Sequence, residues 1–384
     1  MPSFLLSLAL AMMPVPTGVV FLDQNHNGRR DSGERGIAGV AVSDQVQVVT
    51  TGDDGSFRID GASGFGVVFV TAPSGFRSVG SFWKPVGEGS GPIEFPLQRI
   101  PVPAVFQFIH ASDTHISPAS QPRTARLRAL VDSIQPSLTI ITGDLVRDAL
   151  RVSEAEATGY YDLFQAEAAR FKGLLYTVPG NHEIFGIERD KSHVGADHPL
   201  YGRAMYRHYR GPDYYSFNYG GIHFVGLNTA DIDDQSYYGH VDSVQMEWLA
   251  RDLAVVPAKT PVVTFNHIPF FTAVETINGF MDGPPAATAI TVNGKTNFRH
   301  TVANAGEVIA RIKGHPFPMA LGGHMHVREQ LRYEGVPTRF YQTAAVIGPS
   351  GGQGLALPSG IVVYRVNRGR IDDGRFVPLG APIQ

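Results

Sequence analysis

From Val105 onward, apolar runs of strand length each end in residues that can hold a metal ion, and this recurrence constrains the fold more than any other feature. VFQFIHAS ends in Asp113-Thr114-His115, and SLTIITG in Gly143-Asp144. GLLYTVPG leads into Asn181-His182-Glu183, the run from Pro261 into Asn266-His267, and a fifth into Gly322-Gly323-His324-Met325-His326. Amphipathic segments, LRALVDSI and Glu154 to Phe171, separate the first runs, which is the rhythm of stacked β-α-β units and predicts an α/β domain. Farther on, Tyr214 to Asn228 reads as antiparallel, Val241 to Val255 as a helix, Pro261 to Phe265 as a buried strand, and Glu329 to Pro378 as paired strands. In an open α/β sheet ligands collect beyond the carboxyl ends of the strands, so the five tips are predicted to converge on one crevice. At the first tip, residues i and i+2 of an extended chain point the same way, which lets a carboxylate and an imidazole reach one ion. With 14 histidines in the chain, any single match is expected by chance, whereas five in order are not.

Composition narrows the chemistry. The chain has no cysteine, which excludes disulfides and thiolate sites and leaves His, Asp, Glu, Asn and water as ligands. A formal charge of −3 gives no basic field for a polyanion, so no nucleic-acid surface is expected. At 384 residues, more than one domain is expected.

The start divides into smaller pieces. Residues 1–16 contain FLLSLALAMM, too short to span a bilayer but suited to a signal peptide, so export to the periplasm or the cell exterior is expected and no transmembrane segment is. Over 17–98, short β-like runs (GVVFL, GVAVS, VQVVTT, SFRID, GVVFVTA) cut by Gly, Asp and Ser predict a small β-sandwich. The proline-rich segment 99–104 reads as a stiff linker, and 105–384 as the large domain. Within the first domain, Asp23, Asn25, Asn27, Arg29, Asp31 and Glu34 fall on the oxygen-donor positions of a twelve-residue calcium loop, with Gly28 at its sixth position. Strand-like flanks argue against an EF-hand. The segment resembles the calcium-stabilised B-type repeats of bacterial surface proteins, which implies a structural Ca2+.

Taken together, the five tips resemble the calcineurin-like metallophosphoesterases, whose pattern DxH, GD, GNH, a lone His and GHxH stands here in order. The resemblance implies a double β-sheet core flanked by helices and a dinuclear centre of Mn, Fe or Zn ions. One ion would be bound by Asp113, His115, Asp144 and His326, the other by Asp144, Asn181, His267 and His324, with Asp144 bridging. It implies hydrolysis of a small phosphoester by a hydroxide held between the ions. His182 matches the histidine that handles the proton of the leaving oxygen. Where relatives orient that histidine with an Asp or Asn three residues after the bridging Asp, this chain has Arg147, so Asp148 is expected to take the role.

Ligands alone do not separate monoesters from diesters. Arg147, Arg299 and His300 are candidate substrate contacts, and the reading favours a phosphodiesterase over a phosphomonoesterase. The loops Phe185 to Gly211 and Phe271 to Thr301 are candidate rims of the pocket. The competing class is a secreted adhesion or carbohydrate-binding protein built on a non-catalytic scaffold, and it would be favoured by loss of a tip. Oligomeric state is not encoded in any of these features.

Overall fold

The computed structural model describes residues 15–61, 65–86, 91–274, 289–352 and 355–380. Residues 1–14 of the segment expected to be a signal peptide lie outside the described residues, as does the middle of the Phe271 to Thr301 loop. Among the described residues no helix is long and apolar enough to cross a membrane.

The first domain consists of two four-stranded sheets. One runs Ser56–Arg58, Thr17–Leu22, Ile93–Arg99, Phe76–Ser78, and the other Val48–Thr50, Ala41–Ser43, Val67–Val70, Trp83–Pro85. Val20, Phe57, Phe95 and Leu97 of the first sheet meet Val42, Val68 and Val70 of the second in one buried cluster, so the two sheets pack face to face. Burying such β-branched and aromatic side chains removes them from water at about 1.5–3 kcal/mol each. The sheet reaches one residue into the segment expected to be linker: Arg99 pairs with Phe76, as Pro96 within the sandwich pairs with Phe21. Proline keeps a chain extended whether or not a neighbour pairs with it, and here a neighbour does.

The large domain stacks two six-stranded sheets. Leu174–Thr177, Leu138–Ile141 and Val105–Ala111 run parallel in the first, followed by Gly360–Asn367 antiparallel, with Arg370–Ile371 and Arg375–Pro378 paired to it. The second holds Tyr215–Tyr219, Ile222–Leu227, Val262–Asn266, Met319–Gly322, Arg339–Gln342 and Glu329–Leu331, its central four parallel. Phe108 and Tyr364 of one sheet pack with Phe217, Phe224 and Phe265 of the other in a single core. Helices Gln121–Ile134 and Glu154–Ala168 cover the first sheet through Leu127, Val131, Tyr161 and Phe164. Ser153 caps the second helix by accepting from Glu156 N–H, and Asp242 caps Ser243–Ala254 by accepting from Gln245 N–H. Each parallel strand ends at the same edge, which is what positions the tips.

The two domains share a polar and aromatic seam. Gln45 donates to Asp213 Oδ1 at 2.9 Å, Tyr214 OH to Gln45 O at 2.6 Å, and Trp248 Nε1 to Ser43 Oγ at 3.1 Å. Phe82 packs on Tyr215, ring centroids 4.9 Å apart.

Candidate metal centre

All five tips meet. Asp113, His115, Asp144 and His326 bring one ligand atom each within 4.8 Å of one another, and Asp144, His267 and His324 do the same beside them. His115 Nε2 lies 3.2 Å from His326 Nε2 and 3.5 Å from Asp144 Oδ2, and His326 Nε2 lies 3.2 Å from Asp113 Oδ1. On the other side, His267 Nε2 is 3.1 Å from His324 Nδ1, 3.2 Å from Asn181 Oδ1 and 3.2 Å from Asp144 Oδ2. Asp144 is common to both groups.

The local backbone departs from the extended geometry expected at the first tip. The strand ends at Ala111, and Asp113 (φ 56°) and His115 (φ 39°) are left-handed, as are Asp144 (48°), His324 (72°) and His326 (59°). Such conformations cost about 1–3 kcal/mol per non-glycine residue and persist only where surroundings over-determine them. Here the tips bind one another: Asp113 N–H donates to Gly143 O, His115 N–H to Asp144 O, Gly323 N–H to His267 O, and Ile347 N–H to Asp113 O, all at 2.8–3.0 Å. Two glycines permit the close approach. A Cβ on Gly180 would sit 2.2 Å from Asp144 Oδ1, and one on Gly143 would sit 2.7 Å from Gly180 N.

Electrostatically the centre is built for cations. Burial pushes the Asp113 carboxyl up, but the imidazoles of His326 and His267 outweigh it and hold it at about 2. Asp144 is likewise buried, and His267 and His182 hold it well below the usual carboxylate range. Burial alone would lower His267; Asp144 and Asp113 overcome it and raise the ring to about 9. Asp113 Oδ1 is fully buried and has no hydrogen bond of acceptable geometry. Nitrogen faces nitrogen at 3.1 and 3.2 Å, close to the roughly 3.0–3.4 Å separating neighbouring ligands that share an ion at about 2.0–2.1 Å. A fully buried carboxylate oxygen whose near neighbour is the His326 imidazole, together with imidazole nitrogens that face one another, is a donor set that fits divalent ions. His267 Nδ1 donates to Thr142 O at 2.8 Å, which leaves Nε2 as the ligand atom.

His182 stands at the edge of this group, its Nε2 3.9 Å from Asp144 Oδ2. Its Nδ1 donates to the main-chain carbonyl of Arg147 at 2.6 Å. The expected partner, Asp148, is committed elsewhere: Oδ1 accepts from Leu150 N–H at 2.9 Å and Oδ2 pairs with Arg151 at 3.0 Å. The replacement of the usual side-chain partner is therefore met by backbone, which any residue at 147 could supply.

A cleft of about 680 Å³ opens over the centre, lined among others by His115, Arg147, Asp144, His182, Tyr237 and Ile347. Of the three candidate substrate contacts only Arg147 lines it, and Arg147 is exposed there. His300 instead stacks on His324 and places Nδ1 2.6 Å from its Nε2, orienting that ligand, while Arg299 lies over the Tyr237 ring at 4.7 Å. Both follow the hairpin Ala289–Val292/Lys295–Phe298, whose turn residues gave no sign of where it leads.

Two contributors were not assigned roles from sequence. Glu183 is buried, accepts from Leu145, Val146 and Gly180 N–H at 2.5–2.9 Å, and so ties the Gly143-Asp144 tip to the Gly180-Asn181-His182 tip. Burial and the neighbouring Asp144 push its carboxyl up to about 8. An acid three residues after Gly180 is the available signal for this closure, the spacing of a capping box. Tyr237 offered none.

The first-domain loop closes on itself. Asp23 accepts from Asn27 and Gly28 N–H, Asn27 Oδ1 from Arg29 N–H, and Glu34 from Gln24 and Asp31 N–H. Asn25 and Asn27 both donate to Asp31 Oδ2. Asp23 and Glu34 are buried, whereas Asn25, Asn27, Arg29 and Asp31 are exposed, so that Arg29 has only its main chain turned to the loop.

Comparison with known proteins agrees with this geometry. The chain is 24% identical over 220 residues to a 3',5'-cyclic-nucleotide phosphodiesterase of Nostoc sp.; the match covers 55% of this chain and 66%, just under two thirds, of that relative. Among solved structures it is similar to a dimetal phosphatase of Danio rerio, with TM-score 0.45 and 14% identity over 72% of this chain and 99% of the other. A phosphopantetheinyl hydrolase of Mycobacterium tuberculosis gives TM-score 0.38 and 14% identity over 62% and 90%. Likeness at that level leaves the substrate open. The family profiles are decisive: "N terminal of Calcineurin-like phosphoesterase" matches residues 24–98, and "Calcineurin-like phosphoesterase" matches 106–328, more than half of the chain and all five tips. With its tips gathered as described, the chain belongs to the calcineurin-like phosphoesterase family.

Proposed function

We propose that the protein hydrolyses phosphate esters at a dinuclear centre, one ion held by Asp113, His115, Asp144 and His326 and the other by Asp144, Asn181, His267 and His324. The observation that carries this reading is the convergence of both donor groups on Asp144. Bound there, divalent cations supply an activated water at neutral pH and neutralise phosphate oxygens. The chain's own residues do the rest. His182, its Nδ1–H held by Arg147 O, offers Nε2 to the leaving oxygen as proton donor. Arg147 offers a guanidinium to a phosphate oxygen from the cleft wall.

A diester is favoured over a monoester. A phosphate dianion calls for several free cations, and the cleft supplies few: Arg123 is bound to Val346 O, Gly380 O and Ser359 Oγ, leaving Arg147. The diesterase activity named for the Nostoc relative supports the same choice. An all-N,O donor set admits Mn, Fe or Zn, and the family resemblance alone puts Mn first. The Asp23 to Glu34 loop is the proposed place of a structural Ca2+, supported by its oxygen spacing and inward carboxylates. Export is proposed on the apolar run of residues 1–16. Hydrolysis of bis-p-nitrophenyl phosphate against p-nitrophenyl phosphate, with Mn2+, Zn2+ or Fe2+ added to metal-free protein, tests reaction and metal together; no turnover of either ester with any metal would overturn the proposal.

A further inference from the structure

A second and larger cleft, about 910 Å³, lies between the sandwich and the large domain. Gly173, Leu174 and Leu175 line it, at the amino end of the strand whose carboxyl side leads to Asn181, so it is on the opposite side of the sheet from the metal centre. Its lining includes Arg77 from the sandwich and Arg210 from the end of helix Ala204–Arg210, and no carboxylate. Among the described residues neither arginine has an acidic partner within ion-pair distance.

Both cations are nevertheless positioned. Arg210 lies over the Phe164 ring at 5.3 Å, donates to Gln165 Oε1, and reaches Thr177 Oγ1 at 3.4 Å. Arg77 lies against the side-chain amide of Gln98, which also faces His26; with the amide oxygen turned to the guanidinium both contacts become hydrogen bonds. One wall is aromatic: Tyr176, backed by the buried Phe217 at a centroid distance of 3.5 Å, and Phe82, which stands 6.4 Å from Tyr176. Two polar atoms of the lining, Ser78 Oγ and Arg210 Nε, are buried without any hydrogen-bond partner.

We propose that this cleft binds a small organic anion, its acidic head between Arg77 and Arg210 and its planar apolar body against Tyr176 and Phe82. Unpaired guanidinium groups and an adjoining aromatic wall recognise that combination and disfavour both cations and bare hydrocarbons.

Anilinonaphthalene sulfonate is a suitable probe, having a sulfonate head, a planar body and no phosphoester to hydrolyse. Titrated into the full chain, it is expected to show one saturable site by fluorescence. Arg77→Gln and Arg210→Gln should each weaken binding roughly tenfold, the effect of losing one charge-assisted hydrogen bond. Ala169→Trp, at an exposed position on the cleft edge, should abolish binding with the melting temperature kept, which guards against a misfolded arginine variant. Asp144→Asn should leave the affinity unchanged. Absence of saturable binding, the same affinity in all three cleft variants, or loss of binding in Asp144→Asn would each overturn the proposal.

Discussion

His182 Nδ1 lies 2.6 Å from the main-chain carbonyl oxygen of Arg147, and that single contact fixes which ring nitrogen faces the metal centre. A backbone acceptor cannot ionise and cannot be removed by a side-chain change. His182→Asn is therefore expected to lower kcat by about 10²–10⁴, most for esters with poor leaving groups, with metal content unchanged. Asp148→Asn should keep kcat within about threefold, because Asp148 serves Leu150 N–H and Arg151 instead. Steady-state rates on esters of graded leaving-group pKa check both; equal losses in the two variants would restore Asp148 as the histidine's partner.

Gly180 is where backbone and ligand come closest, an added Cβ falling 2.2 Å from Asp144 Oδ1. Gly180→Ala must displace either the carboxylate or the loop. A destabilisation of about 1–3 kcal/mol is expected from such overpacking, together with loss of at least one bound ion. Thermal melts and metal analysis of the purified variant read the two effects, and full metal content would show that the loop yields without cost to the site.

Acid should weaken the seam between the domains. Burial pushes the Asp213 carboxyl up, but Arg207 and Arg203 hold it at about 2, below its unfolded value of 3.8. Because the folded value is the lower one, its contribution is fully present above about pH 4 and is lost as pH falls toward 2. The difference corresponds to about 2 kcal/mol. Asp213→Asn should be less stable at neutral pH, since it leaves Arg207 without its carboxylate, and should show a shallower fall in stability over that window. Denaturant melts between pH 5 and 2.5 decide it; parallel curves for the two proteins would exclude Asp213 as the group responsible.

Calcium should stabilise the first domain through the Asp23 to Glu34 loop. At a hundredfold excess over Kd the gain is about 2.7 kcal/mol. The melting temperature is expected to rise on adding Ca2+ to chelator-treated protein, and Glu34→Gln should abolish the rise. An unchanged melt would remove calcium from the account.

Most of the catalytic architecture could be read from the sequence because its two signals are local. Apolar runs such as SLTIITG specify buried parallel strands, and the candidate ligands directly follow them, so placing Asp144 or His267 at the strand ends needed no tertiary information. What escaped was set by contacts distant in sequence. Asp113 and His115 looked like neighbours on an extended strand, whereas hydrogen bonds from residues near 143–145 and 347 wind them into left-handed turns. His300 belongs to the site because a hairpin folds over His324, a closure invisible to periodicity. The prolines of segment 99–104 said only that the chain is extended, and Arg99 at its start turned out to be paired.

The central claim is that Asp144 serves two ions at once. Metal content per chain, measured by mass spectrometry on wild type and Asp144→Asn reconstituted with Mn2+, tests it most directly. Two ions per chain in the wild type, and loss of both sites with loss of turnover in the folded variant, is the expected result. An Asp144→Asn protein that still binds two ions and hydrolyses esters at the wild-type rate would contradict it.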